Sequence, residues 1–80
     1  MNDPRISRLK WHCRRGMREL DVLLEKYLAH RYEDAPPVEQ AAFETLLSLQ
    51  DPEILDLITG RVIAEDVDLR DVVKRLLTDS

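Results

Sequence analysis

Prolines and glycines punctuate this chain so regularly that they decide its architecture. All four prolines and both glycines fall at the edges of stretches whose apolar residues recur every three or four positions, the period of a helix and not of a strand. Asp3-Pro4 reads as an N-cap followed by proline in the first helical turn. Ile6, Leu9 and Cys13 then fall at helical spacing, which predicts a first helix from about Pro4 to His12. Gly16 interrupts. From Met17 the residues Met17, Leu20, Leu24, Tyr27 and Leu28, widened by Val22 and Leu23, predict a second and longest helix that ends near Tyr32. Glu33-Asp34-Ala35-Pro36-Pro37 stops it, because the residue before a proline is pushed out of the helical region.

Pro37 can open a third helix, with Val38, Ala41, Ala42, Thr45, Leu46 and Leu49 expected on its buried side and Phe43 and Leu47 beside them. Asp51-Pro52 repeats the cap-plus-proline signal for a short fourth helix carrying Ile54, Leu55, Leu57 and Ile58, which stops at Gly60. After a connection from Arg61 to Asp66, either Asp66 or Asp68 caps a fifth helix with the stripe Leu69, Val72, Val73 and Leu76. Only Arg61-Val62-Ile63-Ala64 could be extended, and it has no partner strand. The expected fold is all-α: one compact single-domain bundle of about five helices over residues 1–80, without a sheet, in which only Thr78-Asp79-Ser80 look free to fray.

Eighty residues lie near the lower limit for a core without staples. An apolar fraction of 44% suffices for such a core, and a charged fraction of 35% supplies its shell, so a globular chain is expected. The lone Cys13 excludes an intrachain disulfide, which fits a reducing compartment. No apolar run approaches the roughly 20 residues of a membrane span, and the N-terminus lacks the apolar core of a signal peptide. These points favour the cytoplasm and argue against membrane insertion. With no apolar stripe left over, a monomer is expected.

The formal net charge of −4 conceals a polarity. Residues 1–18 hold six basic groups, Arg5, Arg8, Lys10, Arg14, Arg15 and Arg18, against the single acid Asp3; the remainder holds six basic groups against fifteen acids. A basic pole on an acidic body can steer the molecule toward a complementary partner. Nucleic acid is the sharper competing idea, since Trp11 stands among the cations, but an acidic body is repelled by phosphates and no basic recognition helix follows.

Catalytic groups are scarce. His12 and Cys13 are adjacent, so on a helix they diverge by about 100° and cannot act as a nucleophile and base pair. His30 has no Cys or His three or four residues away to complete a metal pair, and no glycine-rich phosphate loop is present. Asp56, Glu65, Asp66, Asp68 and Asp71 lack the alternate spacing and central glycine of a calcium loop. The expectation is therefore no catalytic residue, no metal site and no enzyme. What stands out is Arg14-Arg15-Gly16-Met17-Arg18-Glu19, where a residue without a Cβ sits among guanidinium groups. Two readings are open on spacing alone. One is a glycine-assisted turn with an Arg15–Glu19 pair one helical turn apart; the other is a docking surface where a partner's backbone approaches Gly16.

The run Trp11-His12-Cys13-Arg14-Arg15-Gly16-Met17-Arg18-Glu19-Leu20-Asp21-Val22-Leu23-Leu24 closely resembles the signature of the succinate dehydrogenase assembly factors, whose hallmark Arg-Gly-X-X-Glu is matched by Arg15, Gly16 and Glu19. A second block looks like the same family: Phe43-Glu44, Leu46-Leu47, Asp51-Pro52-Glu53-Ile54 and Gly60. The resemblance covers most of residues 5–60. Family members usually carry tryptophan where this chain has Leu57, a departure that bears on the packing of the fourth helix.

The resemblance implies a compact bundle of about five helices that promotes covalent attachment of FAD to the flavoprotein subunit of succinate dehydrogenase, and possible service to fumarate reductase. It implies a chaperone that holds no FAD stably, the bond being formed by the flavoprotein's own histidine. It also implies a partner-binding surface made of Arg15, Gly16, Met17 and Glu19, with Arg14 and Trp11 as neighbours. A different class, a regulatory module binding a toxin or nucleic acid through the basic pole, is the alternative.

Overall fold

Each proline stands in the first turn of a helix or immediately before one. A computed structural model describes residues 4–78, in which α1 spans Pro4–Cys13, α2 Arg18–His30, α3 Pro37–Leu47, α4 Asp51–Ile58 and α5 Val67–Thr78. Among the described residues there is no strand, in line with the all-α expectation. The Asp3 cap and the last two residues of the fraying tail lie outside the described residues.

The boundaries differ from expectation in ways that have physical causes. α1 runs one residue further, to Cys13, whose side chain is fully buried. Met17 is the N-cap of α2, not its first helical residue. α2 ends at His30 and not near Tyr32; the chain instead tightens into a 3-10 turn over Tyr32–Asp34. That turn leaves Tyr32 in the core, its ring 5.7 Å from that of Phe43. Asp51 does not cap α4. Gln50 is the N-cap, its backbone N–H donating to Glu53 Oε1 at 3.1 Å, and Asp51 is the first helical residue. Gly60, two residues beyond α4, takes φ +81°, the left-handed conformation that ends helices. Of the two candidates for the fifth cap, Asp66 serves: its Oδ1 accepts the N–H groups of Asp68 (2.8 Å) and Leu69 (3.2 Å).

The largest correction concerns α3. Val38, Ala41 and Thr45 are exposed, and the buried face is Ala42, Phe43, Leu46 and Leu47. α3 is apolar around most of its girth, so periodicity alone does not select the face. The aromatic ring does, because burying a phenylalanine is worth about 1.5–3 kcal/mol, more than a valine at an exposed first turn can offer. Phe43 lies 4.4 Å, centroid to centroid, from Tyr27. α3 packs most extensively on α5, through Val72, Val73 and Leu76, while α1 lies against α2 and α3. Leu57, in the place of the expected tryptophan, is half-buried against the same cluster.

α3 also presents two carboxylates to this core. Glu39 accepts from Tyr27 Oη at 2.5 Å and from Arg31 Nε at 2.9 Å, and Arg75 approaches from α5 at 3.2 Å. Glu44 accepts from Tyr32 Oη and from Arg5, both at 2.6 Å. Burial opposes ionisation of Glu39, but its hydrogen bonds to Arg31 and Tyr27 prevail and hold the carboxyl below its ordinary range. Glu44 is lowered by Tyr32 first and by Arg5 next. Both phenols move the other way: burial, reinforced by the carboxylates, raises Tyr27 and pushes Tyr32 up to about 12.

Depressed carboxyls stabilise the fold above their unfolded value near 4.5, and that stability is lost as pH falls through the lower folded value. The thermal midpoint should therefore hold from neutrality down to about pH 5 and then fall. A Glu39→Gln, Glu44→Gln double variant should start lower at pH 7 and show a shallower acid slope in calorimetry. An unchanged slope would show that these two groups do not carry it.

Candidate functional site

The turn between α1 and α2 is built by residues that lie beyond it. α1 closes with the Arg14 N–H donating to the Trp11 carbonyl at 3.2 Å. The next N–H, of Arg15, donates to Asp21 Oδ1 at 2.8 Å, so the first turn of α2 reaches back to hold the connection. Gly16 then adopts φ +80°, a conformation L side chains rarely take, and Met17 follows in extended geometry. A Cβ placed on Gly16 would meet nothing within 4 Å. Within the chain, then, the glycine is required by its dihedral and not by crowding.

Arg15 is the second anchor. Its Nε donates to the His12 carbonyl at 3.2 Å, Nη1 to the Leu49 carbonyl at 2.7 Å and to Asp51 Oδ1 at 3.1 Å, and Nη2 to the Leu47 carbonyl. Its side chain is only 14% exposed. Leu47 ends α3, where carbonyls lack intrahelical partners and a cation is favoured by the helix dipole. The planar fork of arginine suits four acceptors at once, which lysine cannot match. The Arg15–Glu19 pair admitted by the spacing does not form; Asp51 takes its place.

The six residues singled out in the sequence thus divide. Trp11 is 74% exposed, and the Arg14 side chain is 72% exposed with only a loose approach to Glu25 at 3.6 Å. Gly16 and Glu19 are also exposed, and Glu19 makes no hydrogen bond or ion pair among the described residues. Met17 is half-buried against the core. Arg15 faces inward. A shallow groove between α1 and α2, floored by Ser7, Lys10, Trp11, Arg14, Glu25 and Ala29, continues the exposed surface.

The sequence does not announce Asp21 and Asp51 as the partners of Arg15. The signal for Asp51 is its place beside Pro52, which reads equally as a cap; an acid in the first turn of a helix, as Asp21 is, is ordinary.

The remaining chemistry is muted. Cys13 is completely buried, and burial, with Glu25 next, pushes its thiol up to about 12, which leaves almost no thiolate at neutral pH. Among the described residues no group of three or more His, Cys, Asp or Glu could hold a metal ion, and no helix is long and apolar enough to cross a membrane.

The class these observations define is a small helical bundle that fixes a glycine turn from within and leaves an exposed indole and charged side chains around it, with no metal cluster among the described residues. The chain belongs to the family described as the flavinator of succinate dehydrogenase, whose family model matches residues 7–80. It is 42% identical over 71 residues to an FAD assembly factor of Colwellia psychrerythraea, covering 89% of this chain and 78% of that one. Another, from Methylococcus capsulatus, is 44% identical over 70 residues, covering 88% and 84%. A third, from Coxiella burnetii, is 34% identical over 77 residues, covering 95% and 94%. No solved structure gives a significant match.

Because Gly16 is demanded by φ and not by space, Gly16→Ala should cost about 1–2 kcal/mol in urea unfolding without loss of helicity. Gly16→Asn should cost less, since asparagine tolerates the left-handed region. Equal stability of all three proteins would show that the turn relaxes out of φ +80°.

Proposed function

We propose that this chain is an assembly factor that docks on the flavoprotein subunit of succinate dehydrogenase and promotes covalent attachment of its FAD. The observation that carries this reading is the exposed Gly16 turn, braced by Arg15 and flanked by Trp11, Arg14 and Glu19, in a member of the flavinator family. The contact surface comprises Trp11, Arg14, Gly16, Met17 and Glu19, with Arg15 supporting it from beneath. Gly16 lets a partner backbone approach, Trp11 supplies apolar area, and Arg14 and Glu19 offer opposite charges for orientation.

The chain acts as a chaperone in the cytoplasm, as a monomer, and is not an enzyme. It keeps no FAD for itself. Docking holds the flavoprotein in a conformation whose own histidine is aligned with the flavin, so that the rate gain comes from positioning. The same surface serves fumarate reductase if its flavoprotein presents the same face.

A regulatory module acting on a toxin or nucleic acid draws no support. The relatives are FAD assembly factors, and half the basic pole is engaged internally: Arg5 with Glu44, Arg14 near Glu25, and Arg15 with Asp51.

Covalent-flavin fluorescence of the flavoprotein subunit, read in a denaturing gel, tests the proposal in cells lacking the gene, cells with it restored, and cells carrying Gly16→Arg. Deletion should abolish the signal, wild type should restore it, and Gly16→Arg, helical by circular dichroism, should not. Equal fluorescence in all three would overturn the reading.

A further inference from the structure

The motif arginine points its guanidinium into the fold, with a side chain only 14% exposed. Every nitrogen of the Arg15 guanidinium donates inward, to the carbonyls of His12, Leu47 and Leu49 and to the Asp51 carboxylate. Its backbone N–H is equally committed, to Asp21. Residue 15 is therefore tied at both ends immediately before a glycine whose own surroundings are empty. A surface contact has a different look, and Arg14 displays it: a side chain 72% exposed with only a 3.6 Å approach to Glu25.

From this we infer that Arg15 is a positioning residue, a strut that sets the attitude of the Gly16 turn, and that Asp51 belongs to the docking apparatus although it need not touch the partner. This rests on the docking reading above and deepens it. Two sequence blocks, Arg15-Gly16 and Asp51-Pro52, lie 36 residues apart yet meet in one charge-assisted bond. The Asp51 oxygen fixes the guanidinium plane, the plane fixes the carbonyls of Leu47 and Leu49 against α1, and the turn is left with one presentation instead of many. Docking then avoids the cost of ordering that turn on contact.

Arg31 with Glu39 and Arg75 forms a second charged network, but it braces α2, α3 and α5 far along the chain from Gly16 and needs no further role. The apolar groove at Leu57, Val62, Ile63 and Leu77 has nothing in the structure to say what covers it.

A double-mutant cycle on docking affinity separates the strut from a direct contact. Purified full-length chain is titrated against the flavoprotein subunit at a temperature where circular dichroism shows every variant folded. Asp51→Ala should weaken docking roughly tenfold and Arg15→Ala at least as much, the size expected for a bond to a charged group. Asp51→Ala added to Arg15→Ala should cost nothing further, because the first change has already released the strut. Asp51→Asn, which keeps an acceptor oxygen, should recover part of the loss.

In the free chain, the Gly16 amide resonance should shift in each single variant. A distant destabilising control, Val73→Ala, should lower the melting point with affinity unchanged. Full affinity of Asp51→Ala, or losses that add in the double variant, would overturn the strut and return Arg15 to the contact surface. Failure of the wild-type chain to bind the flavoprotein would instead overturn the docking reading itself.

Discussion

One guanidinium joins three parts of this molecule. Arg15 gathers the end of α1, the end of α3 and the start of α4 by taking acceptors from each. Without it, the carbonyl of Leu47 at the end of α3 would lose its Arg15 partner, and the bonds tying the α3–α4 connection to the turn before α2 would be gone. A domain of this size has little core to spare for such a task. Its stability amounts to a few hundredths to about 0.15 kcal/mol per residue, so a partly buried, multiply bonded cation is a substantial element of the fold. The same bond network holds the Gly16 turn from its inner side while Trp11 and Glu19 stay exposed on its outer side.

The core is organised on a comparable principle around α3. Phe43 sits between two tyrosines whose hydroxyls reach carboxylates on the same helix, Glu39 and Glu44. Apolar packing and polar satisfaction thus come from one element, which is why the phenol oxygens can be buried without penalty. Arg31 and Arg75 neutralise Glu39 from α2's end and from α5, so this cluster fastens the α3–α5 interface, the most extensive between two helices.

Much of this was legible beforehand. Helix number and order followed from Pro4, Gly16, Pro36-Pro37, Pro52 and Gly60, because those residues act through local backbone sterics that no tertiary contact can reverse. Faces of α2 and α5 followed from their stripes, except that Val22, expected to widen the first, is 55% exposed because it lies off the line of Leu20, Leu24, Tyr27 and Leu28. The face of α3 did not, since Val38, Ala41 and Thr45 form a stripe as regular as the true one and only the packing of Phe43 against tyrosines from elsewhere breaks the tie. Trp11, Arg14, Gly16 and Glu19 were recognisable as unusual, and they are exposed together. The inward turn of Arg15 was not recognisable. Its main acceptors are backbone carbonyls more than thirty residues away, and a carbonyl has no letter in a sequence.

The exposure of Trp11 has a consequence of a practical kind. It is the chain's single tryptophan, it stands in water, and it borders the turn. An indole emits at longer wavelength in water than against apolar groups, and no second indole in this chain dilutes the signal. The molecule therefore carries a native optical probe beside its Gly16 turn, so that the burial of that surface can be followed by light without any label attached.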